Sequence, residues 1–153
     1  MRISIIVPCY NEQAVLKLFY VEIVKVLEKI TNNYELLFVD DGSQDSTLSI
    51  IKTLCINNSH IKYIAFSRNF GKEAAMYAGF CNVDADYVAV MDADMQDPPS
   101  LLPEMIQILE SGKYDSVATR RKNREGEPPI RSWCARKFYQ LINKISDADI
   151  VDG

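Results

Sequence analysis

The chain has 153 residues, which is enough for one compact domain with a hydrophobic core. Hydrophobic residues make up 48% of it and charged residues 25%, as in globular proteins, and this composition excludes a disordered chain. The four cysteines lie far apart and the chain contains one histidine, so the sequence offers no zinc site. We expect reduced thiols in a cytoplasmic protein.

Charge is distributed unevenly along the chain, whose net charge is −4. Residues 1–119 carry 9 basic and 16 acidic residues, whereas residues 120–144 carry 8 basic and 2 acidic ones. The basic segment either binds an anion or forms a solvated surface.

The first apolar run, Ile3–Val7, is too short for a signal peptide, and no apolar stretch is long enough to span a membrane, so we expect neither in this chain.

The predicted elements alternate between apolar runs typical of strands and stretches with helical spacing. In chain order they are strand Ile3–Pro8, helix Gln13–Ile30, strand Tyr34–Asp40, helix Ser46–Asn57, strand Ile61–Phe66, helix Gly71–Cys81, strand Tyr87–Asp92, helix Leu101–Ser111 and strand Ser116–Thr119. Asp45 or Ser46 is expected to cap the second helix, and Ser100 the fourth. This alternation predicts an α/β fold, with a Rossmann-like, mostly parallel sheet and helices on both faces.

Ligands of such sheets bind beyond the carboxyl ends of the strands. The chain has neither a G-x-G-x-x-G after its first strand nor a G-x-x-x-x-G-K-[ST] motif, so no glycine-rich loop is available to cradle phosphates. A nucleotide diphosphate bound here would therefore need another group to neutralise its charge.

Asp92-Ala93-Asp94, at the end of the fourth predicted strand, provides such a group. Residues two apart in an extended strand point to the same side, so the carboxylates of Asp92 and Asp94 can converge on one cation. Carboxylate and water oxygens suit Mg²⁺ or Mn²⁺, and Gln96 or Asp97 could join the shell. The ion would bridge the diphosphate and offset charge on the leaving group, so Asp92 and Asp94 are the predicted catalytic residues. The alternative is a solvated turn.

Residues after the other strands are predicted to bind a nucleotide-sugar. Tyr10 offers a ring on which a base can stack, and Glu12 offers an acceptor. Asp40 and Asp41 can accept hydrogen bonds from a base and a ribose, or they can simply form a turn with the glycine that follows. Lys72 can reach a phosphate or a sugar, or it can be a surface lysine. The predicted set comprises Pro8, Tyr10, Asn11, Glu12, Asp40, Asp41, Lys72, Asp92, Ala93 and Asp94.

The sequence does not support nucleophilic catalysis through a histidine or a cysteine. An acceptor that is a phosphate monoester would need no strong base, because its second pKa is about 6. Arginines of the basic segment are suited to hold such a phosphate, because each offers two donors to it. From about Ile130 this segment also has the pattern of an amphipathic helix, which either packs on the sheet or rests on an anionic membrane surface.

Five motifs together resemble glycosyltransferase family 2, and most closely its polyprenyl-phosphate sugar transferase branch, whose members load dolichyl or undecaprenyl phosphate. They are IIVPCYNE at 5–12, FVDDGSQDST at 38–47, SRNFGKEAA at 67–75, MDADMQDPP at 91–99 and ATRRKNREGEP at 118–128. Each motif alone is weakly specific, but the set occurs in the family's order across nearly the whole chain.

The resemblance implies a GT-A fold and an inverting, divalent-metal-dependent transfer of a sugar from a nucleotide diphosphate to a polyprenyl phosphate. It implies that four residues hold the nucleoside, namely Pro8, Tyr10, Glu12 and Asp40. Asp92 and Asp94 would bind the metal, with Gln96 as a helper. Four arginines would face phosphates, namely Arg120, Arg124, Arg131 and Arg136.

Members of this branch continue past the point at which the present sequence stops, so we expect residues 1–153 to be a single GT-A nucleotide-sugar-binding domain without the acceptor-side C-terminal part. We expect the full-length protein to act at the cytoplasmic face of a membrane, with no nucleic acid partner. Two alternatives are a family 2 transferase that acts on a glycan, and a donor-binding module without turnover. The sugar, the base, the lipid and the oligomeric state are open.

Overall fold

The computed structural model describes residues 1–119. Met1–Val117 form one compact unit, and only the first two residues of a second unit, Ala118–Gly153, are described. The predicted helix from Ile130 and the four predicted phosphate-binding arginines, Arg120, Arg124, Arg131 and Arg136, lie outside the described residues. The single domain through residue 153 also stays a prediction. Within residues 1–119, no helix is both long and apolar enough to cross a membrane.

Four parallel strands and four helices alternate along the described chain. They are β1 (Ile3–Cys9), α1 (Leu16–Ile30), β2 (Tyr34–Asp40), α2 (Thr47–Asn57), β3 (Ile61–Ala65), α3 (Lys72–Cys81), β4 (Tyr87–Val90) and α4 (Leu102–Glu110), which follows a 3-10 turn at Pro99–Leu101. Helix α1 illustrates the periodicity: its buried residues, Leu16, Phe19, Ile23 and Leu27, recur every three or four positions. The predicted α/β architecture is therefore confirmed.

The predicted fifth strand, Ser116–Thr119, is wrong. These residues are irregular, and only Val117 among them is partly buried. A four-residue run with one partly buried side chain has too little apolar surface to pack on a sheet.

Of the two predicted caps, the one at α4 is wrong, and the one at α2 is provided by Asp45. Ser100 lies inside the 3-10 turn instead of capping α4. At α2, Ser46 occupies the N-cap position without a side-chain bond, and Asp45 Oδ1 accepts the hydrogen bond from the Thr47 N–H at 2.9 Å.

The strand order in the sheet is β3-β2-β1-β4, and every pair is parallel. From β1 the chain builds outward through β2 and β3, and it then returns to place β4 on the opposite side of β1. The order therefore reverses at β1, and a crevice opens between the carboxyl ends of β1 and β4, where ligands bind in folds of this kind.

The sheet is covered by helices on both faces, as predicted. One core cluster joins Ile5, Val7 and the other side chains on one face of β1 to buried residues of α1, α2 and α4. The second joins Ile6 to Ala75 of α3 on the opposite face. Helix α3 lies so close to the sheet that a Cβ added at Gly79 would collide with the side chain of Ile6. This close contact fixes the distance between α3 and the sheet, and so the position of the first turn of α3 near the ends of the strands.

Candidate functional site

A pocket of about 270 Å³ lies at the carboxyl ends of the strands. Eight predicted nucleotide-sugar-binding residues line it: Pro8, Tyr10, Glu12, Asp41, Lys72, Asp92, Ala93 and Asp94. Four further residues, which were not among the predicted ones, also line the pocket: Cys9, Asn69, Gly71 and Ala75. Asn69 and Gly71 belong to the loop after β3, so their position after a strand was the signal that could have identified them.

Asp92 and Asp94 both reach the pocket, but not for the predicted reason. Strand β4 ends at Val90, and residues 93–94 form a turn instead of an extended strand. Met95 has a φ of 61°, in the left-handed region, so the chain bends directly after Asp94. Asp94 Oδ1 accepts a hydrogen bond from the Gln96 N–H at 3.0 Å, which fixes the orientation of its carboxylate.

Lys72 forms an ion pair across the pocket with Asp92. Its Nζ lies 2.6 Å from Asp92 Oδ2, and the side chains of Lys72 and Asp92 are 52% and 39% exposed. Lys72 is the first residue of α3, which begins at the pocket's edge. The pair therefore joins the loop after β3 to the acidic turn after β4.

Asp41 holds the loop that leads into α3. Its Oδ1 accepts a hydrogen bond from the Phe70 N–H at 2.7 Å, and its Oδ2 accepts one from the Gly71 N–H at 2.9 Å. Gly42, next to it, packs directly on the backbone of Arg68, where a Cβ would overlap backbone atoms. The pair Asp41-Gly42 thus positions the wall of the pocket that carries Lys72.

Asn11, which was predicted to bind the nucleotide-sugar, does not line the pocket. Its Oδ1 accepts a hydrogen bond from the Gln44 N–H at 2.9 Å, and its N–H donates to Ser43 Oγ at 2.9 Å. Its φ of 57° is a left-handed conformation that asparagine tolerates better than most residues. The Glu12 N–H likewise donates to Thr47 Oγ1 at 2.8 Å. Asn11 therefore joins the loops after β1 and β2, and this junction orients Glu12.

Asp40 and Gln96 were also predicted as ligand-binding residues, and neither lines the pocket. Asp40 is 1% exposed, because consecutive residues at a strand end point to opposite sides and Asp41 takes the pocket side. Asp40 Oδ2 accepts a bond from the Ser43 N–H at 3.3 Å, and Oδ1 has no hydrogen-bond partner within the described part of the chain. Gln96 is exposed and contacts Asp94 through its backbone.

The pocket is strongly acidic. Burial, followed by the negative charges of Asp94, Asp92 and Asp45, raises the pKa of Glu12 above its ordinary value. Burial also raises the pKa of the Cys9 thiol far above its usual range, and neighbouring carboxylates add to this. A diphosphate entering such a pocket would be repelled unless a cation accompanied it.

The donor set is that of a hard cation, since Asp92 and Asp94 present carboxylate oxygens at one wall of the pocket. The described residues contain no group of three or more His, Cys, Asp or Glu side chains arranged to hold a metal ion by themselves. Two carboxylates fit a divalent ion whose other ligands come from water and a bound phosphate, as is common for Mg²⁺.

The parallel sheet and the acidic pocket at its switch point define an α/β domain of the GT-A type, the fold of the solved structures it matches. The chain belongs to glycosyltransferase family 2, because the family model "Glycosyl transferase family 2" matches residues 4–151. The family resemblance predicted from the five motifs is thereby confirmed.

Curated relatives match almost the whole chain. CsbB of Bacillus subtilis strain 168 is 48% identical over 151 residues, which are 99% of this chain and 45% of CsbB. A bactoprenol glucosyl transferase of Shigella phage SfV is 36% identical over 153 residues, which are 100% of this chain and 50% of the phage protein. The chain thus spans about half the length of the curated relatives it matches.

Solved structures match at the level of the fold. TarS 1-349 of S. aureus superposes with a TM-score of 0.61 at 23% identity, over 84% of this chain and 38% of TarS 1-349. Glucosyl-3-phosphoglycerate synthase of Mycobacterium tuberculosis, in complex with Mn²⁺, UDP-glucose and phosphoglyceric acid, superposes with a TM-score of 0.54 at 20% identity, over 73% of this chain and 40% of that protein.

Proposed function

We propose that this chain is the donor-binding part of a glycosyltransferase that moves a sugar from a nucleotide diphosphate to a polyprenyl phosphate, with inversion and with the help of Mg²⁺ or Mn²⁺. The observation that carries the proposal is the convergence of Asp92, Asp94 and Glu12 on one pocket at the switch point of a family 2 domain. Acidic side chains at that place suit a cation that accompanies a diphosphate.

In this proposal the donor's diphosphate lies beside Asp92 and Asp94, which hold the divalent ion, with Gln96 close enough along the chain to assist. The bound ion supplies neutralisation of the negative charge that builds up on the leaving nucleotide diphosphate. Asp94 is the more suitable direct ligand, since it is exposed and the Gln96 N–H fixes its orientation. Asp92 becomes fully available only when Lys72 releases it.

The nucleoside occupies the side of the pocket formed by the loop after β1. Tyr10 lines this side and is 42% exposed, which leaves part of its surface for a base to stack on. Glu12 supplies an acceptor nearby, and Asp41 forms the adjoining wall of the pocket while its two oxygens hold the Phe70 and Gly71 N–H groups. Asp40 would contact a ligand only if its buried side chain became accessible, and its Oδ1, which has no hydrogen-bond partner among residues 1–119, is the atom to do so.

A polyprenyl phosphate is the proposed acceptor because relatives identical at 35–36% over the whole chain are named as bactoprenol glucosyl transferases. Such an acceptor is already anionic near neutral pH, since the second pKa of a phosphate monoester is about 6. The proposed task of the protein is therefore to position two anions, with Arg120, Arg124, Arg131 and Arg136 proposed for the acceptor phosphate.

A transfer assay tests this function directly. Radiolabelled UDP-glucose, Mn²⁺ and the protein are incubated with undecaprenyl phosphate or with an oligosaccharide, and labelled lipid is separated from labelled glycan. UDP-glucose is the first donor to test, because UDP-glucose is bound in one structural neighbour and the phage relative is named a glucosyl transferase. We expect label in the lipid, and none when Asp94→Asn replaces the wild type.

Label in the oligosaccharide alone would favour the family 2 transferase that acts on a glycan. Donor binding without transfer to either acceptor, and without hydrolysis of the donor, would favour a donor-binding module. The first result would overturn the proposed acceptor and the second would overturn turnover by this chain, and both would leave the family assignment intact.

A further inference from the structure

The ion pair between Lys72 and Asp92 occupies the place where the proposed donor and its cation must meet. Lys72 Nζ lies 2.6 Å from Asp92 Oδ2, and both side chains face the pocket. Within residues 1–119, Lys72 is the one cationic side chain that lines this pocket, against the carboxylates of Glu12, Asp92 and Asp94. A divalent cation that binds Asp92 Oδ2 must therefore displace the lysine.

The position of Lys72 in the chain is not explained by helix stability. Lys72 opens α3, and a positive charge in the first turn of a helix is opposed by the helix dipole. The residues before it are held by Asp41, which accepts hydrogen bonds from the N–H groups of Phe70 and Gly71. The backbone at Lys72 is thus anchored, while its side chain has four rotatable bonds with which to change partner.

We propose that Lys72 is an exchangeable counter-ion: it pairs with Asp92 until a divalent cation takes that carboxylate, and it then pairs with the donor's diphosphate. The inference rests on the proposed function, because it requires a cation and a diphosphate in this pocket. A cation that binds Asp92 without a nucleotide leaves the Lys72 ammonium without a partner. When a diphosphate binds together with the cation, the diphosphate becomes the new partner of Lys72. Cation and donor therefore bind cooperatively, and each raises the affinity for the other by the same factor.

The variant Lys72→Met tests this exchange, because methionine keeps an apolar stem of similar length and removes the charge. Calorimetry measures Mn²⁺ binding without nucleotide, and then UDP binding at saturating Mn²⁺. We expect the variant to bind Mn²⁺ alone about 1.5- to 5-fold more tightly, the factor that corresponds to the loss of an exposed ion pair. We expect it to bind UDP about tenfold or more weakly, because a charge-assisted hydrogen bond is lost.

Two further variants serve as controls. Lys52→Met removes the same charge from an exposed position on α2, outside the pocket, and should leave both affinities at the wild-type value. Lys72→Arg keeps the charge and should retain the cooperativity between Mn²⁺ and UDP.

Exchange predicts that Lys72→Met binds Mn²⁺ more tightly and UDP more weakly, and this combination separates exchange from a purely structural role. An ion pair that only stabilises the fold would lower the Tm of Lys72→Met and leave both affinities unchanged, and this result would overturn the proposal. Tighter Mn²⁺ binding with unchanged UDP binding would overturn the transfer of Lys72 to the diphosphate. Wild-type protein that binds no UDP in the presence of Mn²⁺ would instead refute the proposed function, and the exchange with it.

Discussion

Replacement of Asp41 by asparagine tests whether this carboxylate builds the pocket wall. Asp41 is 3% exposed, and its two oxygens accept hydrogen bonds of 2.7 and 2.9 Å from the N–H groups of Phe70 and Gly71. Asparagine keeps one acceptor oxygen and places an NH₂ donor against the other N–H. One charge-assisted bond is lost, and we expect the free energy of unfolding to fall by about 1.5–3 kcal/mol.

Urea denaturation, with the free energy taken from the midpoint and slope, measures this loss. Asp84→Asn is the matched control, since the side chain of Asp84 is fully exposed and its ion pair with Arg2 is 4.0 Å long. That control should change stability by no more than about 0.5 kcal/mol. Amide hydrogen exchange should also become faster at Phe70 and Gly71 in Asp41→Asn. Equal urea midpoints for the two variants, with unchanged exchange at those two amides, would refute the anchoring role.

Three further predictions concern the frame and the charges of the pocket. Gly42→Ala should cost at least about 2 kcal/mol, because a left-handed φ of 69° adds to overlap with the Arg68 backbone. Gly112→Ala, with a φ of 67° and no atom of residues 1–119 within 4 Å of the added Cβ, should cost only the backbone strain of about 1–2 kcal/mol; equal urea midpoints would contradict the close packing. Cys9 is buried and has a raised pKa, so it should resist alkylation in the native protein under conditions that modify the exposed Cys81. Peptide mass spectrometry measures the two alkylation rates, and equal rates would contradict the burial of Cys9. Because the pKa of Glu12 is raised in the folded state, the folded protein binds this proton more strongly than the unfolded chain, so stability is lost as pH rises above the ordinary glutamate value of 4.5. Measured in EDTA, Glu12→Gln should therefore gain stability relative to wild type as the pH rises above 4.5, and a constant difference would show that the shift is absent.

Most of the fold could be predicted from the sequence because the apolar periodicity is strong. The four strands found in the structure fall within two residues of the predicted bounds, since runs such as Tyr34–Asp40 are buried at every position and have no helical alternative. The error at Ser116–Thr119 arose where the run was short and carried little apolar surface. Element ends were less predictable, because turns such as residues 13–15 precede α1 without a distinct pattern.

The site could be predicted only in part, because hydrogen-bond partners distant in sequence decide what each polar residue does. Asn11 and Asp40 follow strands, as ligand-binding residues do, but Asn11 bonds to Gln44 and Asp40 points away from the pocket. Nothing in the local sequence shows that residues 11 and 44 are neighbours. The pairing of Lys72 with Asp92, twenty positions away, is likewise a product of the fold.

The central claim is that the carboxylates after β4 bind a divalent cation together with a nucleotide diphosphate. Calorimetric titration of UDP-glucose into the protein, with Mn²⁺ and then with EDTA, tests it most directly. We expect UDP-glucose to bind in the presence of Mn²⁺ and not to bind in EDTA. In Asp94→Asn we expect the affinity to fall at least about tenfold, since loss of a direct metal ligand should cost no less than loss of a residue that supports one. The exposed control Asp115→Asn should match the wild type. Equal affinity for UDP-glucose in Mn²⁺ and in EDTA, or in Asp94→Asn and wild type, would contradict the account.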